Sequence, residues 1–211
     1  MQILDGKLVS AKIKESLFQK LSVLSPGTRR PCLAAVLIGN NAASETYIAS
    51  KIKSCSEAGF ESRLLKFEES ISEKELIETI RQLNADPGVD GILIQLPLPA
   101  HINENKLLGE MNPSKDVDGF HPVNAGKLMQ GEDTFIPATP YGIMLLLEHY
   151  KIQTEGKHAV VIGRSNIVGR PMSILLSKNS YPGNCTVTLC HSRSRDLSSF
   201  CRQADIIASN P

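Results

Sequence analysis

Residues 158–171 read His158-Ala159-Val160-Val161-Ile162-Gly163-Arg164-Ser165-Asn166-Ile167-Val168-Gly169-Arg170-Pro171, and this stretch decides the fold. A short apolar run ends at a glycine, a turn follows, and a second glycine opens a segment with Pro171 in its first turn. A proline is harmless there, because the amide it lacks has no partner in a helix anyway. Such a strand–turn–helix puts free amides and the positive end of a helix at the carboxyl edge of a buried strand, where a pyrophosphate can bind. The spacing is G-x5-G, which is neither G-x-G-x-x-G nor a P-loop. A tight strand-to-helix turn with no ligand fits the same residues.

The next strand, Thr186 to Cys190, runs into His191-Ser192-Arg193-Ser194-Arg195, with no acid before Asp196. A site for NAD places a carboxylate at that strand end to hold the ribose 2′-hydroxyl. Hydroxyls and guanidiniums suit a 2′-phosphate instead, and Arg164 in the turn adds another cation. The pattern favours NADP, against the plainer reading of a polar loop on a solvated face.

Working outward, strand-like and helix-like segments alternate. Cys32 to Ile38 is a continuous apolar run that exits into Gly39-Asn40-Asn41, the mark of a parallel strand buried on both faces. Residues 42–58 hold no Gly or Pro and stop at Gly59, a helix with a glycine cap. Arg63 to Phe67 is a second strand. Ser72-Glu73-Lys74-Glu75 is a capping box before Leu76, Ile77, Ile80 and Leu83 at helical spacing. Gly91 to Leu96 is a third strand. Pro97 to Thr139 is loop-rich, with six prolines spread from Pro97 to Pro140. Tyr141 to Tyr150 reads as a helix, and a second set follows: strand His158 to Ile162, helix Pro171 to Lys178, strand Thr186 to Cys190, helix Asp196 to Gln203 and strand Ala204 to Ala208. The fold class is α/β in two domains, with an N-terminal αβα domain over residues 1–138 and a Rossmann-type domain over 139–211. No internal repeat is visible. A Rossmann half needs strands beyond Ala208, so the second domain is expected to be incomplete at Pro211.

Composition narrows the function. The 211 residues carry 23 basic and 22 acidic side chains, a net charge of +1, which gives no field for nucleic acid or an anionic membrane. No apolar run nears the ~20 residues that span a bilayer. The start, Met1-Gln2-Ile3-Leu4-Asp5-Gly6, lacks a signal peptide's basic and apolar regions. The five cysteines (Cys32, Cys55, Cys185, Cys190 and Cys201) include no C-x-x-C pair, so they read as thiols in a reducing cytoplasm rather than as disulfides or zinc ligands.

Tyr47 and Lys51 are spaced i, i+4 and share one helix face. Such a pair can stack a flat heterocycle and hold an amine beside it, and it is also a common surface pattern. Gln95 ends an apolar strand at its carboxyl end and needs a hydrogen-bond partner, either backbone or Lys51. Asp116 and Asp118 lie in Lys115-Asp116-Val117-Asp118-Gly119, a turn without the further oxygen ligands that a metal would require.

These segments together resemble the bifunctional methylenetetrahydrofolate dehydrogenase/methenyltetrahydrofolate cyclohydrolase family. The stretches that carry the resemblance are Val36 to Ser44, Tyr47 to Lys51, Asp90 to Pro99, Lys115 to Gly119 and Gly163 to Pro171, in the family's order and near its spacing. The resemblance implies a catalytic Lys51, a pterin-stacking Tyr47, a Gln95 bonded to that lysine and an Asp118 that binds the pterin ring, with Leu96 and Pro97 also at the substrate. Gly163, Arg164, Ser165, Ile167 and Gly169 match its dinucleotide loop, and His191, Ser192 and Arg195 match the adenosine side. It implies NADP as cofactor, one-carbon derivatives of tetrahydrofolate as substrates, a homodimer and a role in one-carbon metabolism that feeds purine and amino-acid biosynthesis. Apolar surroundings would make the Lys51 amine a usable base. A monofunctional dehydrogenase of the same family and a non-catalytic binding fragment remain the alternatives. The family continues past this point with the rest of the nucleotide domain and a last helix that packs on the first domain.

Overall fold

The computed structural model describes residues 3–25 and 27–209. Met1 and Gln2 of the N-terminal reading, and the expected break at Pro211, lie outside the described residues. The chain packs as two compact units, Lys7–Val117 and Asp118–Pro211 together with Met1–Gly6. The interval from Asp118 to Pro137 therefore packs with the second unit, although the sequence reading placed it in the first domain.

In the first unit, β1 (Cys32–Ile38), β2 (Glu61–Phe67) and β3 (Gly91–Ile94) form a parallel sheet in the order β2-β1-β3. The crossovers are α2 (Ala42–Glu57) and α3 (Glu73–Ala85). Ala35 and Leu37 of β1 and Leu93 of β3 pack with Ile48 of α2 in one cluster. Ala34, Val36 and Ile38, which point the other way on the same strand, are buried as well. Cover on both faces is why this strand is apolar at every position.

Local chemistry sets the helix ends. Asn41 Oδ1 accepts the Ser44 amide at 3.1 Å and starts α2. Gly59, at φ +84°, reverses the chain so that Phe60 N–H reaches the Cys55 carbonyl at 2.8 Å, a left-handed step that glycine takes without a Cβ clash. The capping box at Ser72 and Glu75 starts α3 as the sequence indicates.

The second unit repeats the plan. β4 (His158–Ile162), β5 (Thr186–Cys190) and β6 (Ile206–Ser209) form a parallel sheet in the order β5-β4-β6, with α7 (Gly169–Ser177) and α8 (Leu197–Arg202) as crossovers. Ala159 and Val161 of β4 share a core with Met172, Leu175 and Leu176 of α7, and with Met144 and Leu147 of α6 (Ala138–His149).

Four elements differ from expectation. The loop-rich stretch contains α4 (Glu104–Glu110) and α5 (Pro122–Gln130). Pro122 does not break α5 but occupies its first turn, where His121 caps it by accepting the Val123 amide. β3 stops at Ile94, two residues short of the reading. Gln95 N–H still bonds the Val36 carbonyl at 2.9 Å, and the chain then turns at the cis Leu96–Pro97 bond. α1 (Gly6–Ser22) was not anticipated, because its apolar residues do not line one buried stripe: Val9 is buried while Leu8, Ile13 and Phe18 are exposed.

Candidate active site

The opposite edges of each sheet carry different chemistry. At the amino edge of the first, Asp90 N–H donates to the Cys32 carbonyl at 2.9 Å, and its carboxylate accepts the Cys32 amide at 2.7 Å. The Arg29 guanidinium grips both carboxylate oxygens at 2.7 and 2.8 Å and holds the Asp90 carboxyl down at about 2. The amino edge of the second sheet has the same device. Asp205 N–H bonds the His158 carbonyl and its carboxylate accepts the His158 amide, both at 2.9 Å. That backbone bond holds the Asp205 carboxyl below the usual range, with Lys157 at 3.6 Å contributing less. These groups tie the first rung of each sheet and face away from the candidate site.

At the carboxyl edge of the first sheet, Gly39 (φ +76°) and Asn41 launch α2. Ile48 and Ile52 of that helix turn toward the sheet. Tyr47 and Lys51 each sit one position earlier, about 100° round the helix, and so lie at the margin of the buried face. Tyr47 is 62% exposed, Lys51 is half-buried, and Lys51 Nζ lies over the Tyr47 ring, 5.4 Å from its centroid. The amine is therefore not enclosed in apolar surroundings, as the sequence suggested; an aromatic face covers one side of it. Lys53, two residues on, is solvated and pairs loosely with Glu57, at 4.0 Å.

Gln95 stands just past β3. Its Nε2 donates to the Leu96 carbonyl at 2.7 Å, while its Oε1 is buried and accepts no hydrogen bond. Lys51 does not donate to this oxygen, and the tight turn at Leu96 satisfies the Nε2 donor with a backbone acceptor. A buried acceptor left without a donor costs about 1–3 kcal/mol, which a bound N–H or ammonium would recover. Leu96 is half-buried and Pro97 exposed beside it.

Asp118 opens the second unit. The segment leading to it is firmly held. Lys115 Nζ donates to the Leu83 and Asp86 carbonyls at the end of α3, at 2.9 and 2.8 Å, and the Lys115 carbonyl accepts the Ile92 amide at 2.6 Å. Val117 occupies the space that a Cβ on Gly91 would need, 2.4 Å from it. Gly119 follows at φ +67°, against the backbone of Phe135 and Ile136. Asp118 itself is half-buried.

The turn after β4 is built on close backbone contact. Gly163 adopts φ +116°, and a Cβ on Gly169 would fall 2.0 Å from the Gly163 carbonyl oxygen. No side chain fits at 169, which explains the G-x5-G spacing. The N-cap residue Val168 makes no side-chain cap. Ser165 Oγ does that work, accepting the Val168 and Gly169 amides at 3.1 and 3.3 Å, and its own O–H is left to donate elsewhere. The turn borders a cavity of about 340 Å³. Gly163, Arg164, Ser165, Ile167 and Gly169 all line it. So do Thr139, Ile143, Met172, Ala208 and Ser209, which sequence reasoning missed; Thr139, between two prolines at the start of α6, was the one with a visible signal. His191 begins directly beside this turn, since Gly163 N–H bonds the Cys190 carbonyl at 2.9 Å. Ser192 and Arg195 follow on the surface.

All five cysteines are free, and burial pushes the Cys32, Cys55 and Cys185 thiols up, away from nucleophilic use. Among the described residues no group of His, Cys, Asp and Glu could hold a metal ion, and no helix is long and apolar enough to cross a membrane.

Fold and site define a two-domain α/β enzyme with a nucleotide-binding turn. The chain belongs to the tetrahydrofolate dehydrogenase/cyclohydrolase family: residues 4–118 match its catalytic domain and residues 137–210 its NAD(P)-binding domain. It is 56% identical over 208 residues to the bifunctional protein FolD of Flavobacterium johnsoniae, a match covering 98% of this chain and 70% of that one. The crystal structure of the bifunctional methylenetetrahydrofolate dehydrogenase/cyclohydrolase of Campylobacter jejuni superposes with a TM-score of 0.95 at 49% identity, over 100% of this chain and 73% of the other. The Trypanosoma brucei enzyme, solved with NADP cofactor and an inhibitor, gives a TM-score of 0.92 at 30% identity, over 99% and 71%.

Proposed function

We propose that this chain oxidises 5,10-methylenetetrahydrofolate to 5,10-methenyltetrahydrofolate with NADP and then hydrolyses the methenyl bridge to 10-formyltetrahydrofolate, within one-carbon metabolism. The observation that carries this reading is the Tyr47–Lys51 pair, an amine held 5.4 Å over an exposed aromatic face.

Residues 1–138 form the folate-binding catalytic domain in this reading, although the stretch from Asp118 packs with the second unit, and 139–211 form the dinucleotide domain. Tyr47 stacks the pterin ring, and Asp118, an acceptor-only carboxylate, takes the ring's N–H donors in paired hydrogen bonds. Gln95 offers its unpartnered Oε1 to a donor, a Lys51 N–H or the substrate, while Leu96 and Pro97 shape the wall beside it. Lys51 moves the protons: its neutral amine takes one from the water as the oxygen bonds to the methenyl carbon and returns it to N5 of the pterin as the carbon–N5 bond breaks. The hydroxyl proton leaves to solvent, and the formyl group stays on N10.

The cavity at the β4 turn suits the cofactor. The Gly163–Gly169 contact keeps backbone, not side chain, against a pyrophosphate, with Arg164, the Ser165 hydroxyl and Ile167 beside it. His191, Ser192 and Arg195 hold the adenosine side. Asp196 supports NADP over NAD, because its carboxylate is spent capping α8 on Ser198 Oγ and Ser199 N–H, at 3.0 and 3.1 Å. When bound, NADP accepts the hydride that leaves the methylene carbon. A homodimer and a cytoplasmic location complete the reading; free thiols suit a reducing compartment.

Purified chain with methylenetetrahydrofolate and NADP should generate methenyl and NADPH absorbance, and methenyl hydrolysis should proceed without nucleotide. Absence of reduction at any protein concentration would leave only a binding protein. Reduction without hydrolysis would leave a monofunctional dehydrogenase.

A further inference from the structure

The loop after β5 is closed on itself by hydrogen bonds that join His191 to Arg193 and to Ser194, two residues without a cofactor role so far. Ser194 Oγ accepts the His191 amide at 2.9 Å, and Ser194 N–H donates back to the His191 carbonyl at 2.8 Å. His191 Nδ1 accepts the Arg193 amide at 3.1 Å. The first of these bonds depends on one side-chain hydroxyl, and with it His191 to Ser194 becomes a compact turn. The turn starts where β5 ends, and Cys190 is tied to Gly163 of the phosphate-binding turn. Its shape is therefore set at the point where the adenosine ribose would meet the protein.

We propose that Ser194 is a positioning residue for the cofactor's 2′-phosphate. It acts through the backbone from which Ser192 and Arg195 are presented, and it leaves the phosphate itself to those side chains. Groups held in place before a ligand arrives bind it more tightly than groups that must be ordered on binding. Removing the hydroxyl releases the His191 amide, and the ordering of the loop must then be supplied by the cofactor. The cost falls on the 2′-phosphate, because the pyrophosphate rests on the Gly163–Gly169 turn. This proposal rests on the reading of the chain as an NADP enzyme.

The test compares Ser194→Ala and Ser194→Thr with the unsubstituted chain. Measured are KM for NADP, kcat, nucleotide-free methenyl hydrolysis, and inhibition by adenosine 2′,5′-bisphosphate and by adenosine 5′-monophosphate, which lacks the 2′-phosphate. Ser194→Ala should raise KM for NADP about ten-fold, equivalent to about 1.4 kcal/mol, with kcat and hydrolysis held. It should weaken the bisphosphate by the same factor and leave the monophosphate unchanged, and Ser194→Thr, which keeps the hydroxyl, should behave as the unsubstituted chain. An unchanged KM in Ser194→Ala, equal weakening of both nucleotides, or failure of threonine to restore the KM would overturn the proposal. Failure of the unsubstituted chain to reduce NADP would overturn the functional reading and this proposal with it.

Discussion

The two sheets of this chain share a plan and differ at one edge. Both are parallel, with the first strand in the centre. In both, an aspartate just before the third strand exchanges two hydrogen bonds with the first residue of the central strand, Asp90 with Cys32 and Asp205 with His158. At the carboxyl edges the likeness ends. The helix after β1 is capped by its own Asn41 and carries Tyr47 and Lys51, the side chains proposed to act on the folate, in its second and third turns. The helix after β4 takes its cap from Ser165, in the preceding turn, and the surface proposed for the cofactor is that turn itself, closed by the Gly163–Gly169 contact. The amino edges tie the strands, and the proposed chemistry falls at the carboxyl edges, where open α/β sheets generally bind their ligands. In the proposed function one edge works by side chains and the other by backbone, so substitutions should separate them.

The sharpest separation is Lys51→Met. Loss of a proton-transfer group costs about 10²–10⁴ in rate, so methenyl hydrolysis should fall by about three orders of magnitude while NADP affinity, read by fluorescence titration, holds. Full hydrolysis in this variant would break the assignment of chemistry to the first sheet. Core truncations come next. Ile48→Ala and Met172→Ala each remove a fully buried side chain, at about 2–5 kcal/mol. In thermal inactivation, the first should lower the temperature at which hydrolysis is lost, and the second that at which NADP binding is lost. If either variant moves both equally, the sheets melt as one body and the comparison must be redrawn.

Gly169→Ala places a methyl where the Gly163 carbonyl already sits. Overpacking of this kind costs about 1–3 kcal/mol, so NADP affinity should drop by about 10- to 100-fold with nucleotide-free hydrolysis unchanged. The smallest effect concerns the amino edges. Asp90 titrates at about 2 in the fold, below its ordinary 3.8, so its contribution is complete above about pH 4 and is lost as pH falls toward 2. Asp90→Asn should lower Tm by a few degrees near neutral pH and flatten the acid limb of the stability curve. Asp205→Asn, which gives up a looser ion pair, should do less. The reverse order would contradict the guanidinium grip as the cause.

Much of this was legible in the residues, for identifiable reasons. β1 and β4 fall where continuous apolar runs place them, because a central parallel strand has no polar face to interrupt the run. The capping box of α3 is a local signal and needs no tertiary context. α5 was hidden because proline marks a helix start as readily as a loop, and α4 because its seven residues are too few to show a helical period. α1 was hidden because it buries too little to leave a stripe. At the site, the i, i+4 spacing brought Tyr47 and Lys51 together correctly. For Gln95 the sequence leaves backbone or Lys51 open as partner, and the backbone carbonyl of Leu96 takes its amide, a choice made by the turn, which periodicity does not encode. Thr139, Ala208 and Ser209 reach the cavity through packing around β4, which is a tertiary fact. The shared amino-edge aspartates were invisible as a repeat, since only one side chain in each unit recurs.

Those two aspartates have a consequence for slow isotope exchange. The first amide of a strand normally frays and trades its hydrogen with solvent quickly. Here the Cys32 and His158 amides each end on a carboxylate, so their protection is tied to its ionisation. Acidification should unlock them while the strand centres stay closed, His158 at milder pH than Cys32. Each unit thus carries a built-in gauge of its own edge, readable from a single resonance.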